Sequence, residues 1–584
     1  MPKIYIFIVA AFFSIKALHA ESGKASRRLF VEPTSNRIPE IGLNARLLSS
    51  DSSKKKVKFS ISGSINVGLW YQTINSATLQ RKTLEWFVQG QPTFAVNSYT
   101  FPFSGIYSNN EFNYTQPFNQ IGISPKFKKF TAHLGYRNLS FSNYTLAGAT
   151  FLGGGFEYNP GKLRLMGFYG RFNRAIGEDT LNNYGVNFTV IPTFERWGYG
   201  LKIGVGTKSN FLDLIVTHIK DDTASINRPI KSAILPGENL SVGLLNKLSF
   251  GKVFRTEAEV AVSVLTENLY KPEITTGIPE SVSKFIELNS SSTANPAAKF
   301  LAGLSIKNFD LTGQFEYIGA NFRSLAMYFM QNDVMRYSVS PSLRLFKGRL
   351  TLAGSVGLQS DNVAEQKIIT TTRLIQSANV GIMPLKNMMF QVQYSNFGTD
   401  QSSGKIQLND SIKISQVNSS YGGTWSYTLP GKRVTSNVML STNKQSVNDF
   451  NIVTARFSAS DVLVGTANGS FSLNKIKTTF GLGYMYNEYS NYAGNYQTAG
   501  PSTSISWAQK KGKFRVNASY THQQRFKEQV LDGKIQSLSI NVNYQIKKKH
   551  KFGVRTVFSN NTTSSTSFQI ATQQRLGFNY GYTF

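Results

Sequence analysis

The 584-residue chain contains no cysteine. That excludes a disulfide framework, a thiol nucleophile, a thiolate zinc site and a lipoprotein-type lipid anchor. Its five histidines, at 19, 133, 218, 522 and 550, show no ligand spacing. No Walker loop and no HExxH motif occurs. Behind the N-terminus no segment reaches the ~18 consecutive apolar residues of a membrane helix. Acidic residues are scarce, 32 against 63 basic for a net charge of +31, and charged residues together make up only 16%. No enzymatic role, cofactor or metal is expected. Nucleic acid is not an expected partner either, because no recognised binding module accompanies the basic excess. The excess points instead to an anionic membrane surface or an anion pathway.

What is abundant is aromatic: 43 Phe and 27 Tyr, within a hydrophobic content of 41%. These residues alternate with polar ones at a period of two. Val57, Phe59, Ile61, Ile65, Val67 and Leu69 share one parity, and Lys58, Ser60, Ser62, Ser64 and Asn66 share the other. The same pattern returns at Tyr337 to Leu345, Phe514 to Tyr520, Leu538 to Ile546 and Ser567 to Phe584. Repetition over five hundred residues predicts an all-β fold, a transmembrane antiparallel up-and-down β-barrel, with residues 57–584 forming the wall. GGGFE at Gly153 to Glu157 falls inside a strand, where glycines relieve crowding on the inner face or permit a bulge.

Met1 to Ala20 reads as a secretory signal peptide, with Lys3 ahead of an apolar run from Ile4 to Ile15. Residues 21–56 are polar and basic, either a periplasmic tail or a small hatch entering the barrel. The last residues, with Phe578, Tyr580, Tyr582 and Phe584 on one parity, resemble the C-terminal signal of bacterial outer-membrane barrels, read by the barrel-assembly machinery. The implied location is the outer membrane of a Gram-negative bacterium, against its lipids, with both termini periplasmic.

Short connections occur at Lys128-Lys129, Pro160-Gly161-Lys162, Lys208-Ser209-Asn210, Gly251-Lys252, Lys307-Asn308, Lys347-Gly348, Leu385-Lys386-Asn387, Pro430-Gly431-Lys432, Asn474-Lys475, Lys510 to Lys513 and Lys547 to Lys551. All carry lysine. Longer ones, such as Ala175 to Trp197, Asp221 to Glu238 and Asn268 to Ala298, lie between them. Short turns on one rim and long loops on the other are the outer-membrane pattern, with the long set extracellular, and counting through it gives about 24 strands, in a range of about 22–26. The exception is Ile74 to Phe118, too aromatic for a free loop. It holds either another strand pair or a constriction across the lumen, with Trp86, Phe94, Tyr99, Phe101 and Phe103 as the candidate residues.

The stretch Phe118 to Ala175 contains GISPKF, HLGYRNLSFSNYTLAG and GFYGRFNRA. It resembles a family of large outer-membrane barrel proteins of Bacteroidota; the resemblance implies fold and location and carries no catalytic or ligand set. Asp179-Thr180-Leu181, Asp222-Thr223-Ala224 and Asp410-Ser411-Ile412 are similar to the O-glycosylation signal of that phylum. Arg344, Arg515, Arg555 and Arg575 sit on the polar parity and are candidate lumen-lining residues, serving either anion selectivity or ion pairs to loops that fill the barrel. Barrels of about 22 strands or more are generally plugged. Two functions follow as expectations. One is a channel or transporter for a sizeable solute, with an anion as the candidate, constricted by residues 74–118. The other is a non-transport barrel subunit of a secretion, assembly or surface-anchoring complex, with another outer-membrane or secreted protein as partner.

Overall fold

The computed structural model describes residues 58–75, 84–109, 117, 119–178, 191–230, 232–274, 283–403, 414–451, 454–509, 512–563 and 571–584. Residues 1–56, including the expected signal peptide, lie outside them. Among the described residues one antiparallel sheet of 26 strands closes on itself. It begins with β1 (Ser64–Asn75), β2 (Leu84–Gly90), β3 (Tyr99–Ser108) and β4 (Gln120–Ile123). There follow β5 (Phe130–Asn138), β6 (Thr150–Tyr158), β7 (Leu163–Asn173), β8 (Glu195–Gly206), β9 (Phe211–Asp222) and β10 (Glu238–Phe250). Next come β11 (Phe254–Thr266), β12 (Ser292–Ile306), β13 (Phe309–Ile318), β14 (Val334–Leu345) and β15 (Leu350–Asp361). The wall continues with β16 (Ile369–Leu385), β17 (Met388–Ser403), β18 (Ser415–Leu429), β19 (Val434–Asp449), β20 (Ser460–Leu473) and β21 (Thr478–Asn491). It ends with β22 (Gly494–Ala508), β23 (Phe514–Lys527), β24 (Val530–Ile546), β25 (His550–Thr563) and β26 (Ala571–Thr583).

Closure is made by β1 and β26, paired from Ser64↔Thr583 to Asn75↔Thr572. The Phe584 N–H extends the seam by donating to the Gly63 carbonyl at 3.1 Å. Three short segments, Phe59–Ser62, Thr93–Val96 and Lys126–Phe127, prolong β1, β2 and β4 past interruptions. Two of those interruptions contain Pro92 and Pro125, which have no N–H to give to a ladder.

The strand number exceeds the expected 24 by one pair, and that pair is found in the aromatic stretch. Its described part holds β2 and β3, which reverse at Asn97-Ser98 with Asn97 at φ 56°. The candidate constriction is thereby corrected. Trp86 lies on β2 and shares parity with exposed Leu84, while Tyr99, Phe101 and Phe103 share parity with exposed Tyr107 on β3. Phe94 sits directly opposite Phe101, so it shares that face. Alternation points all five to the outside of the wall, away from the lumen. Residues 76–83, 110–116 and 118 lie outside the described residues.

The outer parity is apolar around the ring. Tyr199, Leu201, Ile203 and Val205 of β8, Leu212, Leu214 and Val216 of β9, and Val260 and Val262 of β11 are all exposed. Near the short-turn rim this face is aromatic, with Phe250 against Phe254, Phe130 against Phe156 and Tyr158, and Trp507 against Phe514. Tyr582 closes the girdle edge-on to Phe584, ring centroids 5.0 Å apart. Amphipathic rings at this level match a membrane interface. The lysine turns read from the sequence share this rim.

Val260 is at the centre of β11 on the outer face, and Ser539 of β24 is on the inner face. Val260→Arg is expected to lower stability by about 2–4 kcal/mol in a bilayer. Ser539→Arg should leave it nearly unchanged, as read by denaturant unfolding of the protein in vesicles.

Candidate functional site

On β7 to β14 the inner face departs from the polar lumen expected. In β8 the inner positions are Gly198, Gly200, Lys202 and Gly204; Ile219 and Phe172 fill the space over Gly198, Phe168 and the Thr217 methyl that over Gly200, and the Asp213 carboxylate that over Gly204. Phe151, Phe168, Phe172, Ile215, Ile219 and Leu265 are all buried there. What buries them is two loops from the long-loop rim, 139–149 and 319–333, which fold back against the inner wall. Leu139, Phe141, Leu146 and Ala149 of the first loop and Leu325 and Ala326 of the second join that cluster. Tyr144 and Phe322 meet ring to ring at 5.9 Å in a second one. Each Leu or Phe so buried contributes about 1.5–3 kcal/mol.

Polar anchors fix the loops at depth. Glu259, near the middle of β11 and 1% exposed, accepts from the Tyr144 N–H at 2.9 Å and from the Asn143 amide at 2.8 Å. The Tyr144 hydroxyl donates to Glu316 at 2.8 Å, and Glu316 is paired with Arg336 at 2.8 Å. Burial, reinforced by the Glu316 and Glu259 carboxylates, raises the Tyr144 phenol well above its ordinary pKa, so it stays a donor at any physiological pH. Lower in the wall, Lys202 donates to the Phe141 carbonyl at 3.0 Å and pairs with Asp213 at 3.0 Å. Arg164 grips the same Asp213 bidentately at 2.7 and 2.9 Å. The second loop is held by Asn239 and Ser263, both donating to the Arg323 carbonyl, and by Ser324, which donates to Thr145 O at 2.6 Å. The loops therefore hold the wall and each other.

Two inner glycines admit this packing. A Cβ at Gly155 would stand 2.8 Å from a Leu139 methyl, and one at Gly243 would stand 2.9 Å from the Thr145 methyl. Crowding relief on the inner face, not a bulge, is thus the role of Gly155. Sequence reading missed both loops; glycines recurring on the inner parity of β6, β8 and β10 were the available signal.

All four candidate arginines lie on the inner parity. Arg515 is on β23, Arg555 on β25 and Arg575 on β26, and with Asn543 and Asn541 between them they form a diagonal across neighbouring strands. Arg344 is on β14, about half way round the wall. His133 hydrogen-bonds Ser124 and Glu157, and His218 bonds Glu238. Asp222-Thr223-Ala224 is exposed at the long-loop rim, with Asp222 accepting from the Ala224 N–H. The other two glycosylation-like triplets lie outside the described residues. Among the described residues no group of three metal-ligating side chains converges.

Among solved structures the chain is similar to the copper transporter OprC, at 9% identity and a TM-score of 0.38, over 90% of this chain and 80% of that one. It is also similar to a BenF-like porin from Pseudomonas fluorescens Pf-5, at 12% identity and a TM-score of 0.30, covering 64% of this chain and 98% of that one. OmpT, an outer-membrane protein of Vibrio cholerae, matches at 9% identity and a TM-score of 0.24, over 65% of this chain and 100% of that one. No family model and no curated protein matches.

Removing the Glu259 carboxylate strips acceptors from a buried N–H and a buried amide, a loss of about 1.5–3 kcal/mol. Glu259→Ala should therefore speed hydrogen exchange at the Tyr144 amide by roughly 10- to 100-fold. Exchange within the outer-facing positions of β20 should not change.

Proposed function

We propose that the chain is an outer-membrane channel or transporter of a Gram-negative bacterium for a sizeable anionic solute, with no enzymatic role, and a member of the family of large Bacteroidota outer-membrane barrel proteins that its sequence resembles. The short lysine-bearing turns and both ends of the wall are periplasmic, and the long loops are extracellular. The constriction is made by loops 139–149 and 319–333, in place of the aromatic side chains Trp86, Phe94, Tyr99, Phe101 and Phe103.

One observation carries this reading: charge is divided around the lumen. On the β6 to β15 side the inner-face acids Asp213, Asp221, Glu259 and Glu316 are all bound to arginine, lysine or the inward loops. From β16 to β26 the inner face is mostly polar and carries Arg373, Arg515, Arg555 and Arg575, none of which has an acidic partner among the described residues, beside Asp449 and an Arg525 that pairs with Asp532 at 4.0 Å. A polar wall with uncompensated guanidinium groups favours anions over cations.

A second reading, a barrel that holds another outer-membrane or secreted protein, is supported by apolar side chains bared on the long-loop rim. Ile230 is 89% exposed and Phe329 is 84% exposed. Exposure of this kind suits a protein partner.

In planar bilayers the purified full chain is expected to conduct anions in preference to cations. Shortening both inward loops should raise conductance roughly two- to threefold, in proportion to the lumen they obstruct. No conductance in either form would sink the channel reading.

A further inference from the structure

At the closing seam the inner face of β25, β26 and β1 carries a compact set of donors. In one row Arg555, Gly577 and Trp70 stand side by side, and in the next row Val557, Arg575 and Gln72 do. Gly577 is required there, because a Cβ would lie 2.3 Å from the Trp70 ring. The ring thus lies across the glycine, and the Arg575 guanidinium rests over it at 4.3 Å. Stacking on an aromatic face keeps the cation charged while withdrawing it from water.

Two donors of this set are buried without acceptors. Gln72 is 5% exposed, yet its amide nitrogen is buried with no partner, and so is Nε of Arg575 directly opposite it. Buried donors of this kind cost about 1–3 kcal/mol each when unmet, and native proteins keep few of them. Across the lumen two half-buried arginines are met by carboxylates: Arg164 holds Asp213 and Arg196 holds Asp221, each through two hydrogen bonds. Arg575 has the same planar fork and no carboxylate. The acid that shares its neighbourhood, Glu85, stands beyond Trp70 on β2.

We infer that Arg555, Arg575 and the Gln72 amide form an oxyanion-binding subsite on the lumen wall, taking a carboxylate or phosphate group. The guanidinium groups bind the oxyanion in fork geometry, Gln72 adds a neutral donor, and Trp70 fixes the plane of Arg575. The inference deepens the anionic-solute reading and rests on it for the identity of the natural ligand. Binding itself is measurable without transport.

The test is calorimetric titration of the full chain in detergent micelles with inorganic phosphate, and in a second arm with citrate. Saturable binding of at least one is expected, and the stronger arm identifies the group preferred. Arg575→Gln and Arg555→Gln should each weaken it about tenfold, the loss of one charge-assisted pair. Gln72→Leu should weaken it severalfold, and Arg344→Gln, on the far wall, should leave it unchanged. Arg575→Lys keeps the charge and guards against loss of fold; it should still weaken binding because the fork is gone. No saturable binding in either arm, or equal weakening by Arg344→Gln, overturns the subsite. Binding with this residue pattern by a chain that conducts nothing in bilayers would leave the subsite standing and remove the channel reading. Anion conductance with no such binding would do the reverse.

Discussion

Every peptide group of a wall that faces lipid must find its hydrogen bond inside the sheet, because hydrocarbon offers none. The seam between Ser64–Asn75 and Ala571–Thr583 meets that requirement for the whole chain: with it closed there is no edge, and alternation then assigns each residue to lipid or lumen. The apolar outer parity, the aromatic girdle at the short-turn rim and the inward arginines all follow from closure. So does a difficulty, since 26 strands enclose a lumen far wider than side chains can fill.

Two loops answer that difficulty on one side. They fold inward because the wall beneath them is shaped for them, with glycines at 155 and 243 and acids at 259 and 316 placed under specific loop atoms. Buried carboxylates in such a place are stable only when fully hydrogen-bonded, and each one here is. On that side of the lumen Asp213, Asp221 and Glu316 are tied up in ion pairs with arginine and lysine, and Glu259 is held by the first loop. The opposite side leaves Arg373, Arg515, Arg555 and Arg575 without an acidic partner among the described residues, which under the proposed function sets the sign of the lumen's field.

The fold was largely legible because strand alternation and lysine turns are local signals. The lysine-bearing turns that lie wholly within the described residues are all found on the short-turn rim. The pair β2 and β3 was not separable from a constriction because its reversal, Asn97-Ser98, carries no lysine and its strands are aromatic on the outer parity. The connection read as ending at Ala298 ends at Ser292, since alanines and Pro296 within β12 give weak alternation. Parity alone placed Arg344, Arg515, Arg555 and Arg575 on the inner face. The inward loops were hidden for a different reason: LSFSNYTLAG has the composition of an ordinary loop, and its anchors, Glu259 and Glu316, are over a hundred residues away in sequence.

The central claim is that loop 139–149 lies inside the barrel against the inner wall. A chain with no native cysteine allows a clean test. Thr145→Cys combined with Gly243→Cys should form a disulfide on mild oxidation of the folded protein in membranes, because the two side chains meet on the inner face. Thr145→Cys combined with Val242→Cys, one residue away on the outer face, should not. Cross-linking of the second pair, or of neither, would contradict the account.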